Sequence, residues 1–306
     1  MSIKNIIPKN NAQKILLTML FGMIFLTIAA ACNATVPTEM AVPPTVPTMT
    51  DTPTLTALPP TTTPTVTPTP CVEPVHPIAI GDLRLYLHCD VEDPEAIIKV
   101  LTNAESLQPA AGDYHVFGEK DKKGAEEIST EWNTAHNMQD FASFGRGGGQ
   151  TWPGLVVIYQ GDYWGWVWKT SEQEYLVAHE YQHLVQYELS GTMPGQLPAW
   201  FEEGFAYLLA EKQIIQLEGK SDYIAYGCDT IPPLSNLVNW GTVKDSACPY
   251  VAGYDAARKM FYARKLDGYL ALLGAIRSGS SFDAAFKQIY GISTADFYKG
   301  VPLPTP

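Results

Sequence analysis

The pentapeptide His179-Glu180-Tyr181-Gln182-His183 holds the residue types and spacing best suited to chemistry in this chain. Four residues along a helix return to within about 40° of the starting direction, so the two imidazoles project from one face, one turn apart. Nitrogens placed that way suit two corners of a zinc tetrahedron, about 2.0–2.1 Å from the ion. Glu180 points beside the same face, where it can reach a water on the ion without being a ligand. A catalytic site of this type takes a third protein ligand and leaves the fourth position to water. The segment Trp200-Phe201-Glu202-Glu203-Gly204-Phe205-Ala206 offers one, after a turn-rich linker in which Pro198 suits a helix start. Glu202 and Glu203 are both candidates. A solvated helix face with ordinary histidines is the competing reading. Two of only six histidines, on an apolar helix followed by a second helix bearing glutamates, weigh for a metal.

Together the two segments resemble the gluzincin metallopeptidases, the zincin clan that includes aminopeptidase N and thermolysin. In the aminopeptidase branch the second motif reads Trp-Leu-Asn-Glu-Gly-Phe-Ala, with its glutamate as third ligand. The match of Trp200 and Gly204-Phe205-Ala206 implies Glu203 in that role. The gap after His183 is 19 residues, one more than that branch usually has, and strict spacing chooses Glu202 instead. Pro249-Tyr250-Val251-Ala252-Gly253 is similar to the Pro-Tyr-x-x-Gly segment of these families, which implies that Tyr250 stabilises an oxyanion, with Tyr254 as the competing choice. The tail 280–300 is similar to the helical end of peptidase MA-like domains. The likeness covers roughly 155–300, and what it implies is zinc-dependent hydrolysis of peptide bonds, with Glu180 as general base and a peptide or protein as substrate. Three departures are visible, one being a domain much smaller than aminopeptidase N, with little room for a capped exopeptidase cavity. No Gly-Ala-Met-Glu-Asn exopeptidase motif stands in or near 144–160, and Tyr207 occupies the position of the aspartate that orients a zinc histidine in thermolysin-like enzymes. Two other readings use the same residues: a surface-tethered binding lipoprotein on an inactive zincin scaffold, and a zinc amidase acting on cell-wall peptides.

The elements that must position these residues read as an α+β domain, zincin-like, with a small N-terminal mixed sheet and a mainly helical C-terminal half carrying the histidine helix. Residues 78–88, 114–119 and 155–160 have the apolar patterning of strands, and 93–107 and 121–136 have helical spacing. The glycine-rich 144–154 reads as a loop without the pattern of a phosphate cradle. Residues 155–160 are expected to be the sheet edge that receives a substrate strand. Ser171 with Glu174 three residues on reads as a capping box opening the histidine helix, and Trp164, Trp166 and Trp168 alternate as in a strand.

The rest of the chain concerns location. Residues 1–31 carry three lysines, no acid and an apolar run over 15–31 ending Ala29-Ala30-Ala31, the pattern of an export signal. Cys32 directly afterwards resembles the lipidated cysteine of bacterial lipoproteins, so a lipid or signal anchor there is the expected membrane contact of an exported, cell-surface or extracellular protein. Between Asn33 and Pro70, 24 of 38 residues are Thr or Pro, which predicts a disordered, semi-rigid stalk over 32–70. The folded domain is expected over 71–300, with 301–306 as a tail. Cys71, Cys89, Cys228 and Cys248 are an even set in an oxidising compartment; three connectivities exist, and Cys71–Cys89 with Cys228–Cys248 is the simplest. Acids outnumber bases 32 to 20, which disfavours nucleic acid as a partner because phosphate binding needs clustered Lys and Arg.

Overall fold

A computed structural model describes residues 76–138, 148–161, 170–219, 230–240 and 248–304. The predicted signal peptide and stalk, and Trp164, Trp166 and Trp168, lie outside the described residues. The order along the chain is β1 (Ile78–Ile80), β2 (Leu83–Leu87), α1 (Pro94–Leu107), β3 (Gly112–Phe117), α2 (Lys122–Ala135), β4 (Gly148–Trp152) and β5 (Leu155–Tyr159). Then come α3 (Thr170–Ser190), α4 (Ala199–Glu218), a 3₁₀ turn (Leu234–Leu237), α5 (Cys248–Arg277), α6 (Phe282–Tyr290) and α7 (Thr294–Tyr298). This is a mixed α+β arrangement, with a five-stranded sheet in the N-terminal half and helices after it. Helix α5 is interrupted at Lys265, whose φ of 55° and ψ of −160° are not helical.

The sheet order is β1-β2-β3-β5-β4, parallel in the middle and antiparallel at both margins. Three sequence expectations change here. Residues 78–88 are two strands, not one: the chain turns back at Gly81-Asp82, Gly81 has φ 59°, and the Glu105 side chain fills the space a Cβ would need there. Within the glycine-rich 144–154, of which 144–147 lie outside the described residues, Gly148–Trp152 are a strand and not a loop: they pair with Leu155–Tyr159 across a Pro153-Gly154 turn with φ 77° at Gly154. Strand β4 therefore takes the edge, and β5, apolar at every position and buried on both faces, lies inside the sheet. Residues 155–160 are not the edge that can receive a substrate strand.

One apolar core lies between the sheet and helices α1, α3 and α4, around Leu85, Val100, Tyr114, Val156 and Tyr181. A second joins α4 to α5, α6 and α7 around Trp200, Phe205, Tyr269 and Phe286. Buried hydrogen bonds fix α3 between them. The Tyr114 hydroxyl donates to the Val177 carbonyl at 2.8 Å, tying α3 to the sheet. The Tyr175 hydroxyl donates to the Tyr207 carbonyl at 2.8 Å, tying α3 to α4. Glu105 accepts from the Tyr181 hydroxyl at 2.6 Å and from the backbone N–H of Ala110 at 3.0 Å. Helices α4 and α5 meet backbone to backbone at Gly204 and Gly253, where a Cβ on either residue would collide with the main chain of the other helix.

Pro198 precedes α4 as expected, whereas α3 starts at Thr170, one residue before the predicted capping serine. Cys89 and Cys248 are both disulfide-bonded; their expected partners, Cys71 and Cys228, lie outside the described residues. Among the described residues no helix is long and apolar enough to cross a membrane.

Candidate metal centre

Helix α3 presents His179 and His183 one turn apart, and the first turns of α4 bring Glu203 up to them. The three residues are 5%, 6% and 7% exposed, which removes competition from bulk water. His183 Nε2 lies 3.1 Å from His179 Nε2, His179 Nε2 3.2 Å from Glu203 Oε2, and His183 Nε2 3.4 Å from the same oxygen. A tetrahedron with ligands at 2.0–2.1 Å has corners about 3.3–3.4 Å apart. The triangle thus has close to the dimensions of one tetrahedral face. Two imidazole nitrogens 3.1 Å apart need a proton or a cation between them, and a buried carboxylate at the third corner adds to that demand. The group can hold a metal ion.

Protons and a cation compete for these electron pairs. Burial disfavours charge on His183, but the Glu203 carboxylate, with Glu180 and Glu202 behind it, more than offsets this and holds the imidazole pKa above its ordinary value. Burial acts against Glu203 in the same way, and the two histidines reverse it, holding the carboxyl below its usual range.

Glu202, the alternative ligand, has another task. Its carboxylate accepts from the Gly195 N–H at 3.2 Å and from the Trp240 side chain, so it joins the loop before α4 to the segment before α5. Burial raises its pKa to about 7. Glu180 also lies off the triangle. Its Oε2 accepts from the Thr151 hydroxyl at 2.6 Å, and Gly149 passes so close that a Cβ there would collide with the Glu180 side chain.

A cavity of about 670 Å³ opens onto the three donors and Glu180, with β4 on one side and Tyr187, Glu202, Trp240 and Tyr250 among the other lining residues. Tyr250 comes from the start of α5, its ring centroid 5.9 Å from that of His179. Tyr254, the competing tyrosine, donates its hydroxyl to Glu211 and does not line the cavity. The structure therefore brings together His179, Glu180, His183, Glu203 and Tyr250. Sequence reasoning missed Thr151, Tyr187 and Trp240. Thr151 is 29 residues from Glu180 and carries no local signal. Tyr187 lies one turn beyond His183 on α3, a spacing that does point to the site.

No protein-family model matches the chain, and no curated protein matches it either.

Proposed function

We propose that the chain is a zinc-dependent hydrolase of peptide bonds with a zincin-type site, in which His179, His183 and Glu203 hold the ion and Glu180 is the general base. The observation that carries this reading is the triangle of buried donors, 3.1–3.4 Å on a side, with a fourth ionisable side chain on the same helix facing the same cavity. A zinc ion held there would supply a Lewis acid able to polarise a carbonyl and lower the pKa of water to about 7. The protein's own groups do the rest. Glu180 takes a proton from the attacking water as the water oxygen bonds to the carbonyl carbon. It then delivers that proton to the amide nitrogen as the C–N bond breaks. Tyr250 donates to the carbonyl oxygen as charge gathers on it. Thr151 holds one Glu180 oxygen, which leaves the other for the water. Strand β4 is the sheet edge beside the base, and an extended peptide adding to it carries its carbonyls past Glu180. Export and a lipid at Cys32 would place this activity on the cell surface.

The test is metal analysis of the purified protein, followed by turnover of casein and a quenched peptide library with and without a chelator. One zinc per chain and chelator-sensitive turnover are expected. Glu180→Gln should keep the zinc and lose about 10²–10⁴-fold in rate. A folded protein that stays metal-free when zinc is supplied overturns the proposal, as does an active Glu180→Gln. Stoichiometric zinc without turnover of any amide, cell-wall peptides included, points instead to a binding protein. Turnover of cell-wall amides alone points to an amidase.

A further inference from the structure

We infer that Gln186 is a positioning residue that fixes the tautomer of His183, so that the imidazole offers the metal its Nε2 lone pair. The inference rests on the metal-centre reading above. Gln186 is fully buried, one turn beyond His183 on α3. Two of its amide contacts settle how it is turned. Nε2 donates to the Glu202 carbonyl at 3.0 Å, and Oε1 lies 3.1 Å from His183 Nδ1.

The orientation of that amide follows from what its partners can do. A backbone carbonyl only accepts, so the amide nitrogen must face Glu202 and the amide oxygen must face His183. An amide oxygen likewise only accepts, so His183 Nδ1 must carry the proton. A neutral imidazole protonated at Nδ1 keeps its lone pair on Nε2. That is the atom 3.1 Å from His179 Nε2 and 3.4 Å from Glu203 Oε2. One main-chain carbonyl, belonging to the residue just before Glu203, thereby sets the donor atom of a ligand on the neighbouring helix. His179 has no such support: its Nδ1 is buried without a hydrogen-bond partner among the described residues. Of the two histidines, His183 is the one whose ring is prepared in advance. Partners of this kind typically contribute 10–100-fold to metal affinity.

The test measures zinc affinity of the purified protein by chelator competition, a readout independent of turnover. Gln186→Met keeps the length and bulk but lacks an acceptor, and should bind zinc about 10–100-fold more weakly than wild type. Gln186→Glu, protonated on the oxygen that faces the Glu202 carbonyl, restores an acceptor toward Nδ1 and should bind more tightly than Gln186→Met. Far-ultraviolet circular dichroism of the metal-free proteins checks that both variants fold. If wild type binds zinc and Gln186→Met binds it equally well, the inference is overturned while the metal centre stands; wild type without zinc affinity removes the centre itself. Gln186→Glu no better than Gln186→Met also overturns the tautomer role. Should the variants fail to fold, nitrogen-15 histidine spectra of zinc-loaded wild type decide: a protonated Nδ1 on His183 is expected, and an Nδ1 bound to the metal contradicts the assignment.

Discussion

Glu180 is held by the sheet as well as by its own helix. The Thr151 hydroxyl reaches it at 2.6 Å with both residues buried, and the missing side chain at Gly149 lets β4 pass against its carboxylate. A hydrogen bond to a charged group is worth about 1.5–3 kcal/mol, or roughly 10–100-fold in rate where it orients a reacting group. Thr151→Val keeps the shape and removes that donor. Its kcat on a quenched peptide should fall 10–100-fold with KM little changed and zinc content intact, and Thr151→Ser should recover most of the loss. Equal kcat in Thr151→Val and wild type would mean that Glu180 needs no such support. Residues at this scale were legible in the sequence where one helix sets their spacing. His179, Glu180 and His183 follow from the helical period alone. Glu203 could be separated from Glu202 only through the Trp200 and Gly204 match; in the structure its Oε2 lies 3.2 Å and 3.4 Å from the two histidine Nε2 atoms. Thr151 and Trp240 reach the cavity through long-range packing, and no local pattern marks them.

Among the elements, the crossing of α4 and α5 decides where Glu203 and Tyr250 stand. Gly204 follows Glu203 directly and Gly253 lies three residues after Tyr250, so the glycines of the two motif segments are each other's contact. Alanine at either position gains about 0.5–1 kcal/mol in helix propensity but drives a methyl group into main chain, and overpacking of that kind costs about 1–3 kcal/mol. The steric cost wins. Gly253→Ala should lower unfolding stability in urea by about 1–2 kcal/mol and weaken zinc binding with it; undiminished stability would show that the helices can part freely.

The sheet makes a separate prediction, through pH. His115 on β3 stacks on Tyr86 with ring centroids 4.3 Å apart and lies 3.0 Å from His88 Nε2. Burial, then His88 and Arg84, lower its pKa from 6.5 to about 4. Its folded-state pKa is depressed, so the unfolded chain binds this proton first as pH falls. The contribution of neutral His115 is complete above about pH 6.5 and is lost toward pH 4, a change on the order of 2 kcal/mol after allowing for partial exposure. His115→Phe should flatten the stability profile across that window, and an unchanged slope would place the titration elsewhere. Helices α1 and α2 and strands β3 and β5 were legible from their apolar patterning, although 78–88 read as one strand rather than two. The edge position of β4 was not, because a glycine-rich strand has no apolar alternation and becomes a strand only by pairing with β5.

Over the molecule as a whole, charge bears on which substrates the proposed site would take. The chain carries a formal net charge of −12, and its cavity is lined by Glu180, Glu202 and Glu203 with no Lys or Arg among the described lining residues. A zinc ion would offset two carboxylates, and Glu202, with its pKa raised to about 7, adds a negative charge that grows as pH rises through neutrality. A unit charge about 8 Å from a substrate side chain contributes roughly 0.5–2 kcal/mol at effective dielectric constants of 20–80, more than most single surface contacts. Peptides with Lys or Arg beside the scissile bond should therefore be cut with kcat/KM about tenfold above matched peptides with Glu or Asp. The ratio should shrink as ionic strength rises from 10 mM to 0.5 M and the screening length shortens from about 30 Å to a few Å. Paired fluorogenic peptides differing only at the flanking residue, assayed across that salt range, measure it directly. Acidic and basic peptides cleaved equally well at 10 mM salt would show that the field of the three carboxylates does not reach the bound substrate.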